Sequence, residues 1–404
     1  MVQRNFLIWL LASLFYAYQY ILRVIPNIVV PELVVRFNIG TTEIGQFCGL
    51  YYVGYVLAHI PIGILLDRFG SKVVVPICIA LTSLGALPLV SSNDWSYSII
   101  GRIITGIGSS ASVLGLFKII RIYYHREKFA MMFSLSAIIG ISGGVFATKP
   151  LHILFDKFGW EYVFTAFIIL GLLLALTTFV SMPKVDTSDK INIENLSKAI
   201  FNKDILLISL FGGFMIGPLE GFADAWSATF LHEMYAIDRH IAYSISKWIL
   251  IGFGLGVLLF PYVLAKYPTK HYEIMIFCAI AMIIVFLLLF ICNISALLAC
   301  ILLFIIGFAS AYQVALTAKI ISCVKNDAVA SAGSVSNSIV MSFGYFFHII
   351  IANVMNFYWN GEIIDGKPFY GTDVMVKSML IIPIFLLIGM IGFWLLKVIS
   401  CKKS

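Results

Sequence analysis

Charge is scarce in this chain. Asp, Glu, Lys and Arg make up only 12% of its 404 residues, about half the share that an ordinary soluble domain carries. So few charged groups cannot cover a water-facing surface. Cysteine offers no framework either. The seven cysteines, at 48, 78, 278, 292, 300, 323 and 401, lie mostly inside apolar stretches and show no C-x-x-C spacing. Neither a disulfide scaffold nor a cysteine metal site is expected. There is no H-E-x-x-H pair for a zinc hydrolase and no G-x-x-x-x-G-K-[ST] loop for ATP. An intramembrane enzyme would need a nucleophile or metal set, and a receptor a soluble output domain. The sequence supports neither reading, and no cofactor or metal is expected.

Hydrophobic residues are abundant, at 61%, and apolar runs of 18 or more recur. Such runs are long enough to cross a hydrocarbon core of roughly 30 Å. The expected fold class is all-α: a polytopic membrane protein with twelve transmembrane helices in two pseudo-symmetric six-helix bundles. The spans are read at about 6–31, 43–66, 72–91, 95–118, 129–148, 161–181, 204–231, 241–264, 272–291, 295–319, 328–357 and 375–397. The run from Ile274 to Ala318 holds no charge and is too long for one span, so Asn293-Ile-Ser295 is read as a turn between two. The first span, interrupted by Arg23 and followed by no small-residue cleavage site, is expected to be retained and not removed as a signal peptide. Residues 1–181 and 204–404 are read as the two bundles, with the polar segment 182–203 as a cytoplasmic linker.

A net charge of +7 would suit a nucleic-acid partner only if the bases formed a surface. They sit instead in loops between spans. With both termini placed inside, the inner loops and tails hold sixteen Lys and Arg against seven on the other side. That asymmetry follows the positive-inside rule and points to a bacterial inner (plasma) membrane with cytoplasmic termini. The lipid bilayer and a small solute are the expected partners, with no nucleic acid. The fold calls for no second chain, so a monomer is expected.

The halves repeat. Leu65-Leu-Asp67-Arg68-Phe-Gly-Ser-Lys72 aligns with Val263-Leu-Ala265-Lys266-Tyr-Pro-Thr-Lys270 at an offset of 198, and Gly106 through Lys118 aligns with Gly307 through Lys319 at 201. Both alignments reproduce a charged position. Duplicated halves are what a secondary transporter would have.

Gly63-Ile-Leu-Leu-Asp67-Arg68-Phe-Gly70-Ser-Lys72 follows an apolar helix without a gap. Its spacing resembles the G-x-x-x-D-R-x-G-x-[RK] loop of the major facilitator superfamily, which joins helices 2 and 3 on the cytoplasmic side. The resemblance implies a gating role for Gly63, Asp67, Arg68, Gly70 and Lys72, with the loop paired to the end of another helix. The alternative is an ordinary positively charged inner loop. The second half has Ala265 in place of the acid, so an acid-based latch is expected in the first half only.

Arg23 lies deep in the first span, where a charge costs about 2.5 to 3.5 kcal/mol and should face a cavity or a partner. Tyr16, Gln19, Tyr20, Arg23 and Asn27 share one helical face. A guanidinium offers a planar fork that matches carboxylate or phosphate. Tyr16-x-x-x-Tyr20-x-x-Arg23, continuing to Pro31-Glu32-Leu33, also resembles helix 1 of the organophosphate and organic-anion branch, where the arginine binds the anion. The competing reading of Arg23 is a buried ion pair that only locks helices together.

The seventh span offers Gly213-x-x-x-Gly217-x-x-Glu220-Gly221-x-x-Asp224. Its glycines make a smooth packing face, and its two acids stand one turn apart and so share another face. The branch that helix 1 resembles has a second arginine near here, so an acid argues against a strictly phosphate substrate. It suits a zwitterion, or a monoanion carried with a proton. Glu220 is read as proton carrier or as partner of a substrate amine, while Asp224 could instead lie solvated near the outer interface. Arg102, in Arg102-x-x-x-Gly106-x-Gly108, resembles the family's helix 4 pattern and is expected, with Glu220 and Asp224, to serve proton coupling. Tyr312, Gln313, Asn337, Ser338 and His348 are candidate cavity-lining groups, with Gln313 and Asn337 placed in the substrate set. Lys118 and Arg121 sit where they could snorkel to lipid headgroups. In the fifth span, Gly140-x-x-Gly143-Gly144 permits bending, without the adjacent Gly-Pro pair of drug antiporters.

The expected function is secondary active transport of a small anionic or zwitterionic solute (an organic acid, amino acid or short peptide) by alternating access, as a proton symport. The alternative is an organic-phosphate or organic-anion exchanger.

Overall fold

A computed structural model describes residues 2–125, 128–183, 201–324, 329–364 and 367–403. Among them the elements are helical, apart from a two-residue antiparallel ladder pairing Ile363–Ile364 with Lys367–Pro368. Eleven helices are long and apolar enough to cross a membrane: Gln3–Val24, Thr41–Phe69, Ser71–Ser91, Trp95–Tyr123, Trp160–Ser181, Lys203–Tyr235, Arg239–Lys266, His271–Ile291, Ala296–Ser322, Ser331–Tyr358 and Gly371–Ser400. Met131–Phe146 and Lys149–Phe158, bent by 45° at a short break, make a twelfth when taken as one span. In chain order these are spans 1 to 12, the bent pair being span 5. The chain is an all-α integral membrane protein with many spans.

Local chemistry sets the span ends. Asp94 caps span 4 by accepting from Ser96 N, Asn202 caps span 7 by accepting from Asp204 N and Ile205 N, and Asp238 caps span 8. Ser295 caps span 10 through Leu298 N, so the turn read at Asn293-Ile-Ser295 falls where expected. Gly70 separates spans 2 and 3 with φ 77°, a conformation that a side chain would strain. Span 5 departs from expectation. It bends after Phe146, ahead of Pro150, and not at its glycines. Those glycines serve packing on span 1: a Cβ at Gly140 would press on the Tyr16 ring, and one at Gly143 on the Ala17 carbonyl.

The chain divides into two compact units, Met1–Asn38 with Gln46–Asn192, and Ile39–Gly45 with Ile193–Ser404. Residues 184–200 of the expected linker lie outside the described residues. In the first unit span 1 packs on span 5, and span 3 on spans 4 and 6. In the second, span 8 packs on span 10 and span 9 on span 12. The repeat seen in sequence is carried into this packing. A Cβ at Gly54 would collide with the Ile103 carbonyl, and one at Gly106 with that of Tyr51. At Gly252 it would meet the Phe304 carbonyl, and at Gly307 that of Ile249. These four contacts repeat at the offsets of 198 and 201 found in the sequence. Backbone-to-backbone approach of this kind is how membrane helices associate without a hydrophobic driving force.

Candidate functional site

Span 1 is interrupted near its far end. Its helix stops at Val24, and a second helix, Pro26–Phe37, begins one residue later. Proline has no N–H, so the Leu22 carbonyl loses the partner that residue 26 would otherwise supply. Arg102 on span 4 replaces it: Nη1 donates to Leu22 O at 2.6 Å and Nη2 to Arg23 O at 2.9 Å. Its guanidinium also stands 5.0 Å from the ring centroids of Phe47 and Tyr51. Arg102 is only 5% exposed, so these hydrogen bonds are formed away from water. Its visible work is to brace the break that carries Arg23.

Arg23 is 6% exposed, with its guanidinium 4.2 Å from the Tyr20 ring centroid. Tyr16 meets Tyr20 edge-on at 5.4 Å. Gln19 donates from Nε2 to Tyr16 O at 3.2 Å, and its Oε1 accepts the Tyr51 hydroxyl at 2.7 Å. Tyr16, Gln19, Tyr20 and Arg23 therefore do come together, although the Asn27 side chain lies outside the described residues. Span 2 adds a ladder that sequence reasoning did not single out. Tyr51, Tyr55 and His59 recur every four residues, with Tyr51 stacked on Tyr55 and Tyr55 on His59. The four-residue spacing was the signal that could have found it.

At the opposite end of span 2, Asp67 Oδ1 pairs with Lys118 Nζ at 2.7 Å, and Lys118 also donates to Leu66 O at 2.7 Å. Lys118 thus does not snorkel, whereas Arg121 is exposed. The repeat alignment, which keeps a lysine at both Lys118 and Lys319, was the available clue to a built-in role. Lys72 donates to Met182 O at 2.7 Å, tying the start of span 3 to the end of span 6. Arg68 is exposed, 5.2 Å from the Phe69 ring. Gly63 is half-buried within span 2, and Gly70 makes the turn.

In the second unit, span 7 is not one α-helix. It runs as an α-helix over Lys203–Phe214, a π-helix over Gly217–Trp226 and an α-helix over Ser227–Tyr235. In a π-helix hydrogen bonds run i→i+5, so Glu220 and Asp224 stand on a wider turn than an α-helix gives, with four residues still close to one turn. Both acids are buried, Glu220 at 1% and Asp224 at 2% exposure, so Asp224 is not a solvated interfacial residue. Gly213, Gly217 and Gly221 do form the expected packing face, where added Cβ atoms would press on Phe343 and Phe347 of span 11. Tyr312 is a brace: its hydroxyl donates to Gly212 O at 2.7 Å, just before the π-helix. Gln313 Nε2 and Ser338 Oγ are buried without hydrogen-bond partners among the described residues. Asn337 is half-buried and His348 buried. The letters G-x-S-x-G occur at Gly140-Ile-Ser-Gly-Gly144, but Ser142 lies mid-helix and donates to Ile138 O, not on the strand-to-helix turn a hydrolase needs.

A family model described as the Major Facilitator Superfamily matches residues 8–348. The chain belongs to that superfamily. The superfamily is one of transport proteins and not of enzymes. An uncharacterized transporter of Buchnera aphidicola subsp. Schizaphis graminum is 32% identical over 181 residues, 43% of this chain and 44% of that protein. Facilitated glucose transporter member 12 of solute carrier family 2, from Macaca fascicularis, is 28% identical over 132 residues, 32% of this chain and 21% of that protein. The chain thus spans less than half the length of either relative. The crystal structure of a bacterial homolog of the human lysosomal transporter Spinster, inward-facing and unoccupied, aligns with a TM-score of 0.76. It is 18% identical, with 97% of this chain and 96% of that one covered. At that identity it shows the superfamily fold alone.

Proposed function

We propose that this superfamily member is a secondary active transporter that moves a small anionic or zwitterionic solute, an organic acid, amino acid or short peptide, by alternating access together with protons. The observation that carries this reading is a pair of buried charges of opposite sign, each beside a break in an equivalent helix. Arg23 stands at the break of span 1, and Glu220 lies in the π-helical break of span 7. A charge buried in a membrane span is costly, and such residues mark substrate or proton pathways. Arg23 takes the anionic group, with Tyr16, Gln19 and Tyr20 beside it and Asn27 as a further member of the set. Glu220 takes the coupling proton, with Asp224 and Arg102 in the same coupling set, and Gln313 and Asn337 belong to the substrate set. Asp67, with Gly63, Arg68, Gly70 and Lys72, gates the cycle from the end of span 2. The protein acts as a monomer in a bacterial inner membrane with both termini cytoplasmic, its bundles 1–181 and 204–404 joined by 182–203. The excess of sixteen over seven basic residues in the inner loops supports that orientation.

The test uses purified protein in proteoliposomes with a solute found by thermal-shift screening. Glu220→Gln should abolish accumulation driven by a pH gradient and preserve exchange of labelled for unlabelled solute. Full proton-driven accumulation by this variant would remove the proton role. Loss of exchange together with affinity would reassign Glu220 to a substrate amine left without its counter-charge.

A further inference from the structure

Both broken spans are fastened to a neighbour by the same device, placed ahead of the break. In the first unit the hydroxyls of Ser13 on span 1 and Ser136 on span 5 lie 2.8 Å apart. In the second, Ser209 on span 7 donates to Ser336 on span 11 at 2.9 Å. Ser13 and Ser209 are 196 residues apart and Ser136 and Ser336 are 200 apart, close to the offsets of 198 and 201 already found in the repeat. Ser13, Ser136 and Ser209 are fully buried, and Ser336 is 5% exposed. Hydroxyls bonded across an interface of membrane helices hold the two helices in one register. Ser13 and Ser136 also bond back to the carbonyls of Trp9 and Met132, and a hydroxyl has one proton to give, so one of them crosses the interface at a time. Trp9 Nε1 reinforces this pair by donating to Ser136 Oγ at 2.8 Å, where the second unit has Ile205. One turn further along each broken span, a ring of one helix sits on a glycine of the other. A Cβ at Gly140 would press on Tyr16, and one at Gly213 on Phe343.

We propose that Ser13–Ser136 and Ser209–Ser336 are positioning pairs for the two buried charges, each fixing the roll of a broken span and with it the direction in which Arg23 or Glu220 points. Ser13 stands ten residues before Arg23 in the same unbroken helix, Val2–Val24. Ser209 stands eleven residues before Glu220, joined to it across the short turn at Met215 and Ile216. A break frees a helix from whatever holds the segment beyond it, so a side chain at the break takes its direction from the half before it. A slip of one residue at the hydroxyl pair would turn that half by about 100° and carry the charge to another face. The inference deepens the transport reading by adding two hydroxyl pairs that aim its charges, and it rests on that reading for the use made of them.

Two side-chain reagents read the outcome on the full-length protein in lipid nanodiscs, without solute. Phenylglyoxal reports on Arg23 and a hydrophobic carbodiimide on Glu220, each followed by peptide mass spectrometry. Both charges are buried, so a change of direction should raise their access. Ser209→Ala and Ser336→Ala should each speed modification of Glu220 roughly threefold or more and leave Arg23 at its wild-type rate. The double variant should be no faster than either, because the two residues share one bond. Ser136→Ala should do the reverse, and Ser13→Ala the same less strongly, because the Trp9 indole still reaches Ser136. None of these variants alters a charge, so neither reagent responds to the substitution itself. Replacing both serines of a pair by cysteine supplies the rescue: with the cystine bond formed, the affected charge should return to its wild-type rate, and reduction should free it again. Faster modification of Arg23 and Glu220 together would mark a general loosening and overturn the proposal. Unchanged rates, or an oxidised cysteine pair that fails to restore them, would overturn it too. The labelling needs no transported solute, so it decides the positioning role whether or not the transport reading holds.

Discussion

Spans 1 and 7 occupy equivalent places in the two units and are broken by different means. Span 1 stops at Val24 because Pro26 removes a donor, and Arg102 supplies charged hydrogen bonds to the Leu22 carbonyl left behind and to the Arg23 carbonyl beside it. The second unit has Leu303 at the place of Arg102. It widens span 7 into a π-helix, and the Tyr312 hydroxyl from span 10 satisfies the Gly212 carbonyl just before the change. One break therefore carries a base and is braced by a base. The other carries acids and is braced by a neutral hydroxyl. A cation bracing span 7 would stand near Glu220 and favour its ionised form, which would work against the proton role proposed for that carboxyl. The repeat fixes where helices break, and the side chains that brace each break fix its charge.

The packing beneath the breaks is where the units should behave alike, and where the largest effect is expected. Gly106→Ala and Gly307→Ala each drive a methyl group into a backbone carbonyl, of Tyr51 and Ile249 respectively. A backbone oxygen cannot swing aside as a side chain can. Each variant should lose roughly 3 kcal/mol or more, the upper end for overpacking, seen as loss of monodisperse protein in thermal-stability chromatography. Tolerance of one substitution but not the other would break the equivalence of the two contacts.

The braces should then separate the units. Arg102→Leu, which installs the second unit's residue, removes two charged hydrogen bonds and strands the Leu22 carbonyl, and should cost about 3 kcal/mol. Tyr312→Phe removes one neutral hydrogen bond and should cost about 1 kcal/mol. Melting temperatures in a single detergent check the order. Equal losses would mean that Arg102 braces span 1 no more strongly than a hydroxyl braces span 7.

Much of this was legible in the sequence, because hydrophobic length and caps act locally. The twelve spans, the cap at Ser295 and the packing glycines of span 7 needed no tertiary information. The repeat offsets even anticipated which carbonyls the glycines approach. The π-helix was not legible, since Gly217-Pro-Leu-Glu220 reads equally well as an α-helix with an early proline. Nor was the work of Arg102: its motif resembled a coupling element, while its partners are backbone carbonyls that carry no sequence signature. The partner of Lys118 was not legible either: a lysine near a span end can snorkel, and only the fold brings Asp67 within reach.

The smallest effect sharpens the first-unit latch. The G-x-x-x-D-R-x-G-x-[RK] loop presents Asp67, Arg68 and Lys72 as one cluster, but the structure gives them unequal work. Asp67 pairs with Lys118 while partly shielded, at 23% and 14% side-chain exposure. Lys72 is tied to the Met182 carbonyl. Arg68 is exposed, with the Phe69 ring beside it. Arg68→Gln should therefore change stability by no more than about 0.5 kcal/mol, the usual range for a surface substitution. It should also leave the ratio of inward to outward cysteine labelling at wild-type level. Asp67→Asn and Lys118→Met should instead shift that ratio by the same amount, and the double variant no further, because each removes the same pair. A shift by Arg68→Gln as large as theirs would mean that the loop acts through its summed charge. The pairing of Asp67 with Lys118 would then be incidental to gating.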